Sequence, residues 1–206
     1  MKANLESVEI VIFDLGGVLL NIDYKATSLE MKKLGFLDFD EHYTQLAQNN
    51  LFDQLETGKI SEQAFINELK AHVFSQVTPN QIVHAWNKMI GKFPNQKINL
   101  LESLNGKRIV MLSNTNVIHW KKVLLEWKNV RQVQIETYFE KIFLSHEIGL
   151  RKPHEETFLF VCQNLNVSPE KVLFIDDSPQ HIKGANDAGL NTFYYEDETS
   201  FFQLFS

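Results

Sequence analysis

The sequence contains one cysteine in 206 residues, Cys162, so no intramolecular disulfide can form. Its place in the apolar run FLFVCQNL reads as that of a small buried hydrophobe, and nothing around it marks an activated thiol. No block of lysine and arginine occurs, and the formal charge is −6. Phosphate-backbone binding needs clustered cations, so nucleic acid is not an expected partner. No apolar run approaches the ~18 residues of a membrane-spanning helix. The start MKANLESVEIVIFD has no basic stretch leading into a long hydrophobic one. The expected setting is therefore the cytoplasm, with no membrane partner. His119, His146, His154 and His181 fall near the expected active face, yet no His-x-His or His-x₃-His spacing exists to suggest zinc. Internal repeats and low-complexity segments are absent as well.

What is present suits a folded globular chain. Hydrophobic residues make up 44% and charged residues 22%, enough apolar content for a substantial core with room for a small accessory lobe. The segment VEIVIF, Val8 to Phe13, is almost continuously apolar and β-branched, as a strand buried on both faces requires, and it runs into Asp14 and a Gly16-Gly17 turn. From about residue 24 to 92 only helical periodicity is found, in SLEMKKLGF, HYTQLAQ, SEQAFINELKAHVF and PNQIVHAWNKMI. Ser61 and Thr78-Pro79 are helix-start signals. Phe36, Phe39, Phe52, Phe65 and Trp86 fall at helical spacing and are expected to form mostly the core of this insert. After Pro94 strands alternate with helices: RIVMLS, KIFLS, KVLFI and TFYY are the strands. Such alternation implies right-handed crossovers and a doubly wound parallel sheet, an α/β core. The expected division is a core of residues 1–20 and 93–206 with a small all-helical cap over 21–92. The tail SFFQLF is expected to dock on the core as a short helix, leaving a monomer or weak homodimer.

Open parallel sheets bind ligands beyond the carboxyl ends of their strands. Four polar groups stand there: Asp14 in VIFDLGGV, Ser113 and Asn114 in MLSNTN, Lys152 in GLRKP, and Asp176 and Asp177 in VLFIDDSP. Their chemistry is complementary. A carboxylate such as Asp14 can attack phosphorus and form an aspartyl-phosphate. Asp14, Asp176 and Asp177 supply the hard oxygens that Mg²⁺ prefers, and the backbone carbonyl of Gly16 adds another. Ser113 and the Asn114 backbone can donate to phosphoryl oxygens, and Lys152 supplies a compact positive charge. In an acidic molecule this local site points to a small phosphorylated metabolite as the partner.

With these residues in order, the sequence resembles the haloacid dehalogenase superfamily, and within it the branch similar to α-glucose-1-phosphate phosphatases. The matching segments are FDLGGVLLNID, LSNTN, GLRKP and FIDDSPQHIKGANDAG, with LETGKISEQAF as a softer match to the helical cap. The resemblance spans nearly the whole chain. It implies a magnesium-dependent phosphatase with its nucleophile at Asp14, phosphate-binding hydroxyl at Ser113, basic residue at Lys152 and metal carboxylates at Asp176 and Asp177. One position departs from the family pattern: the second acid of Asp-x-Asp, which protonates the leaving oxygen, is Gly16 here. General acid catalysis is worth ~10²–10⁴ in rate. Sugar-1-phosphates, with a less basic leaving oxygen, would suffer less from its loss, and Asp23 is the first candidate stand-in. The competing readings are a haloacid dehalogenase proper, which the Asp176-Asp177 pair argues against, and a pseudo-enzyme that binds a phosphorylated ligand, which only Gly16 favours.

Overall fold

The computed structural model describes residues 7–43, 50–104 and 107–205. Its centre is a five-stranded, all-parallel sheet in the order β3-β2-β1-β4-β5, built from β1 (Ile10–Phe13), β2 (Arg108–Ser113), β3 (Lys141–Leu144), β4 (Val172–Asp176) and β5 (Asn191–Tyr194). The chain moves outward from β1 through β2 to β3, then crosses back to place β4 on the other side of β1. That reversal opens a crevice at the carboxyl end of β1, the usual ligand position in such sheets.

Alternation along each strand divides the core into two layers. Val11, Phe13, Ile109, Met111, Leu173 and Ile175 face α6 (Asn95–Ser103), α7 (Val117–Lys128) and α11 (Glu198–Leu204). Ile10, Ile12, Val110, Leu112, Val172 and Phe174 face α9 (Glu155–Leu165) and α10 (Pro179–Asp187). Every residue of β1 is buried, which explains why it reads as a continuous apolar run rather than an alternating one. The strand begins at Ile10, two residues later than the apolar pattern predicts. Ile10 pairs with Arg108 and Val172, the first residues of the neighbouring strands, and before it the Glu9 N–H donates to the Lys171 carbonyl at 2.8 Å without extending the paired register. Cys162 is buried among the α9 contacts, and burial pushes its thiol up to about 11.

The tail docks as expected. Phe201 of α11 is fully buried and meets the edge of the Phe13 ring, with centroids 6.4 Å apart. Lys97 reaches the same place from α6. Its ammonium lies 4.1 Å from the centroids of both Tyr195 and Phe201 and donates to the Tyr195 hydroxyl at 2.7 Å. Burial lowers this lysine to about 8.

Between β1 and β2 the described chain is helical: α1 (Tyr24–Lys33), α2 (Phe39–His42), α3 (Asn50–Glu56), α4 (Glu62–Leu69) and α5 (Pro79–Trp86), closed by a 3₁₀ turn, Asn87–Met89. The expected HYTQLAQ helix lies largely outside the described residues. Ser61 caps α4, and Thr78 caps α5 in a reciprocal capping box with Gln81 behind Pro79. The α4 helix stops at Leu69, short of the predicted SEQAFINELKAHVF span. The chain turns there so that His72 stacks on Phe36 at 4.6 Å and the Phe74 N–H reaches the Leu34 carbonyl. Phe36, Phe39, Phe52, Phe65 and Trp86 form the buried core of this helical cap.

The cap meets the sheet layer through Trp86. His119 of α7 stacks on its ring at 4.5 Å and donates from Nε2 to the Trp86 carbonyl at 3.0 Å, while the Asn116 amide donates to Nδ1 at 3.1 Å. Those bonds use both ring nitrogens in the neutral form, and burial holds His119 down at about 4. Its folded-state value is below the unfolded one. The unfolded chain therefore binds the extra proton between the two, and this contribution to stability is lost as pH falls from about 6.5 toward 4. In an NMR titration the His119 ring signals are expected to stay unchanged from pH 8 to about 5, whereas a shift centred near the ordinary histidine value of ~6.5 would contradict this packing.

Candidate active site

Strand register brings the acids together. Phe13 of β1 is level with Ile175 of β4, and the Asp14 N–H donates to the Ile175 carbonyl at 2.9 Å. Asp14 therefore emerges beside Asp176, the last residue of β4. One carboxylate oxygen from each of Asp14, Asp176 and Asp177 can be chosen so that all three lie within 4.8 Å of one another. Lys152 enters from the loop before α9. Its ammonium is fully buried, 2.8 Å from Asp14 Oδ1 and 2.6 Å from Asp176 Oδ2. Ser113 and Asn114, at the end of β2, line the same cavity of about 70 Å³ with Gly16 and Asp177. All seven residues singled out in the sequence thus belong to one locus.

Side-chain-to-main-chain hydrogen bonds sew the two halves of the site together. The Asn114 amide donates to the Lys152 carbonyl at 2.9 Å, and the Lys152 N–H donates back to Asn114 Oδ1 at 2.9 Å. The Asn114 side chain is thus a strut that holds the lysine loop. Ser145, at the start of α8 (Ser145–Ile148), accepts from the Thr115 N–H and donates to the Thr115 carbonyl, both at 2.9 Å. The Lys152-Pro153 peptide bond is cis. Two glycines make room for these contacts. A Cβ on Gly184 would stand 2.0 Å from the Pro153 carbonyl oxygen, so α10 can lie against the lysine loop only without one. Gly17, at φ +86°, lies beneath Asp177, and a Cβ there would come within 2.2 Å of its Oδ2. A Gly17→Ala variant is expected to push Asp177 out of the cluster. Calorimetry should then show divalent-cation affinity weakened by roughly 10–100-fold, comparable to losing a supporting group of a metal site; unchanged affinity would mean that Asp177 is not a ligand.

Burial and charge set the electrostatics. Desolvation pushes the Asp14 carboxyl up to about 8 against the pull of Lys152, and Asp176 and Asp177 add to the rise. Burial would raise Asp176 too, but the Lys152 ammonium and the His181 hydrogen bond overcome it and hold this carboxyl below its usual range. Lys152 behaves conversely: desolvation would lower it, and Asp14 and Asp176 together hold it high. Asp176 is fully enclosed, with Oδ1 accepting from the Ser178 N–H at 2.8 Å and His181 Nδ1 3.0 Å away. Asp177 faces the cavity. With all three carboxyls ionised, as a bound cation would favour, they exceed the one ammonium by two negative charges on hard oxygen donors, a set that fits a divalent cation of the magnesium type.

Other residues enter that the sequence alone did not single out for the site. Tyr24, Tyr43 and Glu56 reach the cavity from the cap, and Arg151 does so from the core. Arg151 Nη1 lies 2.9 Å from Asp53 Oδ1 and its Nη2 lies 3.1 Å from Glu56 Oε2, both on α3. The only forewarning was that Arg151 precedes Lys152 and that Glu56 lies within the LETGKISEQAF cap match. His181, ranked low from spacing, stands against Asp176. The large cap aromatics do not line the cavity; the two tyrosines do.

A family model described as haloacid dehalogenase-like hydrolase matches residues 8–189. The chain belongs to that family. A haloacid dehalogenase family enzyme from Bacteroides thetaiotaomicron, solved as a single-site variant in complex with magnesium and inorganic phosphate, is 34% identical with a TM-score of 0.88, over 95% of this chain and 98% of that one. A D-ribitol-5-phosphate phosphatase of Bacteroides thetaiotaomicron is 28% identical over 92% of each chain. A phosphorylated carbohydrates phosphatase of Thermotoga maritima is 24% identical over 91% of this chain and 84% of its own length. In this haloacid dehalogenase-like hydrolase, Asp23 does not act as a spare acid at the cavity. It caps α1, accepting from the Ala26 N–H at 3.1 Å, in an exposed position. The chain therefore departs from the Asp-x-Asp pattern at Gly16 without a compensating carboxyl from Asp23. Among the described residues no helix is long and apolar enough to cross a membrane.

Proposed function

We propose that this protein is a magnesium-dependent phosphomonoesterase for a small phosphorylated carbohydrate, with Asp14 as its nucleophile. The observation that carries this reading is the buried Lys152 ammonium shared between Asp14 and Asp176, within a cluster of three carboxyl groups whose oxygens converge. The relatives named for sugar-phosphate and carbohydrate-phosphate hydrolysis, and the one bound to magnesium and phosphate, support it. Mg²⁺ held by Asp14, Asp176, Asp177 and the Gly16 carbonyl would neutralise the charge on the transferring phosphoryl group.

The chain's own residues divide the remaining work. An Asp14 oxygen attacks phosphorus and forms the acyl-phosphate bond as the ester oxygen leaves. Lys152 stays beside Asp14 and balances the charge there, while Ser113 and the Asn114 N–H orient the phosphoryl oxygens. Gly16 offers no proton, so the departing alkoxide takes one from water. A second water then attacks the phosphorus, releasing inorganic phosphate and restoring the Asp14 carboxylate. Residues 21–92 act as a cap over a core of 1–20 and 93–206, and an antiparallel bridge between Ile22 and Ile90 ties the two linkers together. A haloacid substrate is disfavoured, since its carboxylate would enter a pocket already crowded with acids.

A panel of sugar and sugar-alcohol monophosphates tests the reading. Phosphate release is expected with Mg²⁺, to stop with a chelator, and to return when the metal is restored. A folded protein that binds Mg²⁺ and releases phosphate from no ester would be a binding protein, and halide release from a 2-haloacid without metal would make it a dehalogenase.

A further inference from the structure

The side of the cavity that the cap supplies has a chemistry of its own. Glu56 ends α3 and is 4% exposed, so its carboxylate is a buried charge facing the cavity. Arg151 braces it at 3.1 Å while also holding Asp53 at 2.9 Å. Because Arg151 adjoins Lys152, the brace is anchored to the loop that carries the central ammonium. The end of α3 also rests directly on the core, since a Cβ on Gly58 would stand 2.2 Å from the His146 carbonyl oxygen. Glu56 is therefore carried by the cap but fixed in place by the core. Beside it, Tyr24 and Tyr43 line the cavity, and their hydroxyls make no hydrogen bond among the described residues. A phenol can both donate and accept, and a carboxylate accepts only.

Arg151 is shared between Glu56, which lines the cavity, and Asp53, which does not, so one guanidinium serves two carboxylates and the set is negative; the cavity of about 70 Å³ is small. We propose, resting on the phosphomonoesterase reading, that Glu56 reads the leaving group, accepting hydrogen bonds from a short, uncharged, hydroxyl-rich alcohol and turning away esters that carry a second anion. Tyr24 and Tyr43 supply further hydroxyl contacts, and Arg151 is a positioning residue for Glu56. Hydrogen bonds to a buried charged acceptor discriminate by about 10- to 100-fold.

The test compares kcat/KM for ribitol 5-phosphate, ethyl phosphate and 3-phosphoglycerate, with Mg²⁺, in the wild type, Glu56→Gln and Tyr43→Phe. Glu56→Gln is expected to lower the ribitol-to-ethyl ratio by about 10- to 100-fold and to raise the phosphoglycerate-to-ribitol ratio. Tyr43→Phe should lower the first ratio by a few-fold, and it decides the matter if Glu56→Gln does not fold. Unchanged ratios in the folded variants overturn the proposal, including the case where all rates fall together and Glu56 merely holds the cap. A wild type that hydrolyses none of the three esters removes the phosphatase reading and this proposal with it, and is told apart because no ratio can then be measured.

Discussion

An Asp14→Asn variant is expected to stay folded and to lose phosphate release by roughly 10⁴-fold or more, as removal of an attacking group does elsewhere. The amide keeps the shape of the carboxyl, and its N–H to the Ile175 carbonyl is a main-chain bond that the substitution leaves alone. What disappears is the oxygen proposed as the nucleophile. Folding should not suffer, because burial and the neighbouring Asp176 and Asp177 already work against an ionised Asp14. Steady-state phosphate release together with thermal melting checks both halves. A variant retaining more than a few per cent of the wild-type rate would show that water, not Asp14, attacks phosphorus.

The second large effect is expected at Lys152. Its ammonium is fully enclosed between Asp14 and Asp176, so Lys152→Met leaves the buried Asp176 carboxylate, beside Asp14, without its counter-charge. Breaking a buried pair by removing one partner costs about 3–5 kcal/mol, and the metal-free variant should be destabilised on that scale. Magnesium should stabilise the variant more than it does the wild type, since the cation then takes over the missing charge compensation. Turnover should still fall by roughly 10²–10³-fold or more, because an electrostatic stabiliser of the reacting group is gone. Urea denaturation with and without Mg²⁺ separates these effects. Equal stability of variant and wild type in chelator would mean that the ammonium does not hold the acids together.

Much of this arrangement is legible in the sequence because it follows from strand ends. A buried parallel strand must be apolar on both faces, so an acid at its terminus, as after VIF or VLFI, marks both the end of the strand and the ligand-binding side of the sheet. Asp14, Ser113 and Asp176 are found in this way, and the one-residue register between β1 and β4 does the rest. The cap's hydrophobic core is equally readable from helical spacing, since Phe36, Phe39, Phe52, Phe65 and Trp86 all turn inward.

The cap's contribution to the site is not legible, because it depends on how two separately patterned layers dock. Arg151, Glu56 and Asp53 look like ordinary surface charges until α3 is laid against the lysine loop. Tyr24 and Tyr43 carry no motif. Asp23 shows the opposite failure: a carboxylate near the right place in sequence is spent on three-residue-local capping of α1. The Asn114 side chain is likewise bound to the lysine loop, which leaves only its main chain for the role the sequence suggests.

A nucleophilic Asp14 carries the phosphoryl group itself during turnover. Rapid acid quenching of the working enzyme with Mg²⁺ and a sugar-alcohol phosphate, followed by peptide mass spectrometry, tests it most directly. Phosphate is predicted on the peptide containing Asp14, at a level that rises with substrate and is absent from Asp14→Asn. Active enzyme whose Asp14 peptide stays unmodified at every quench time, or a label on another residue, would contradict the account.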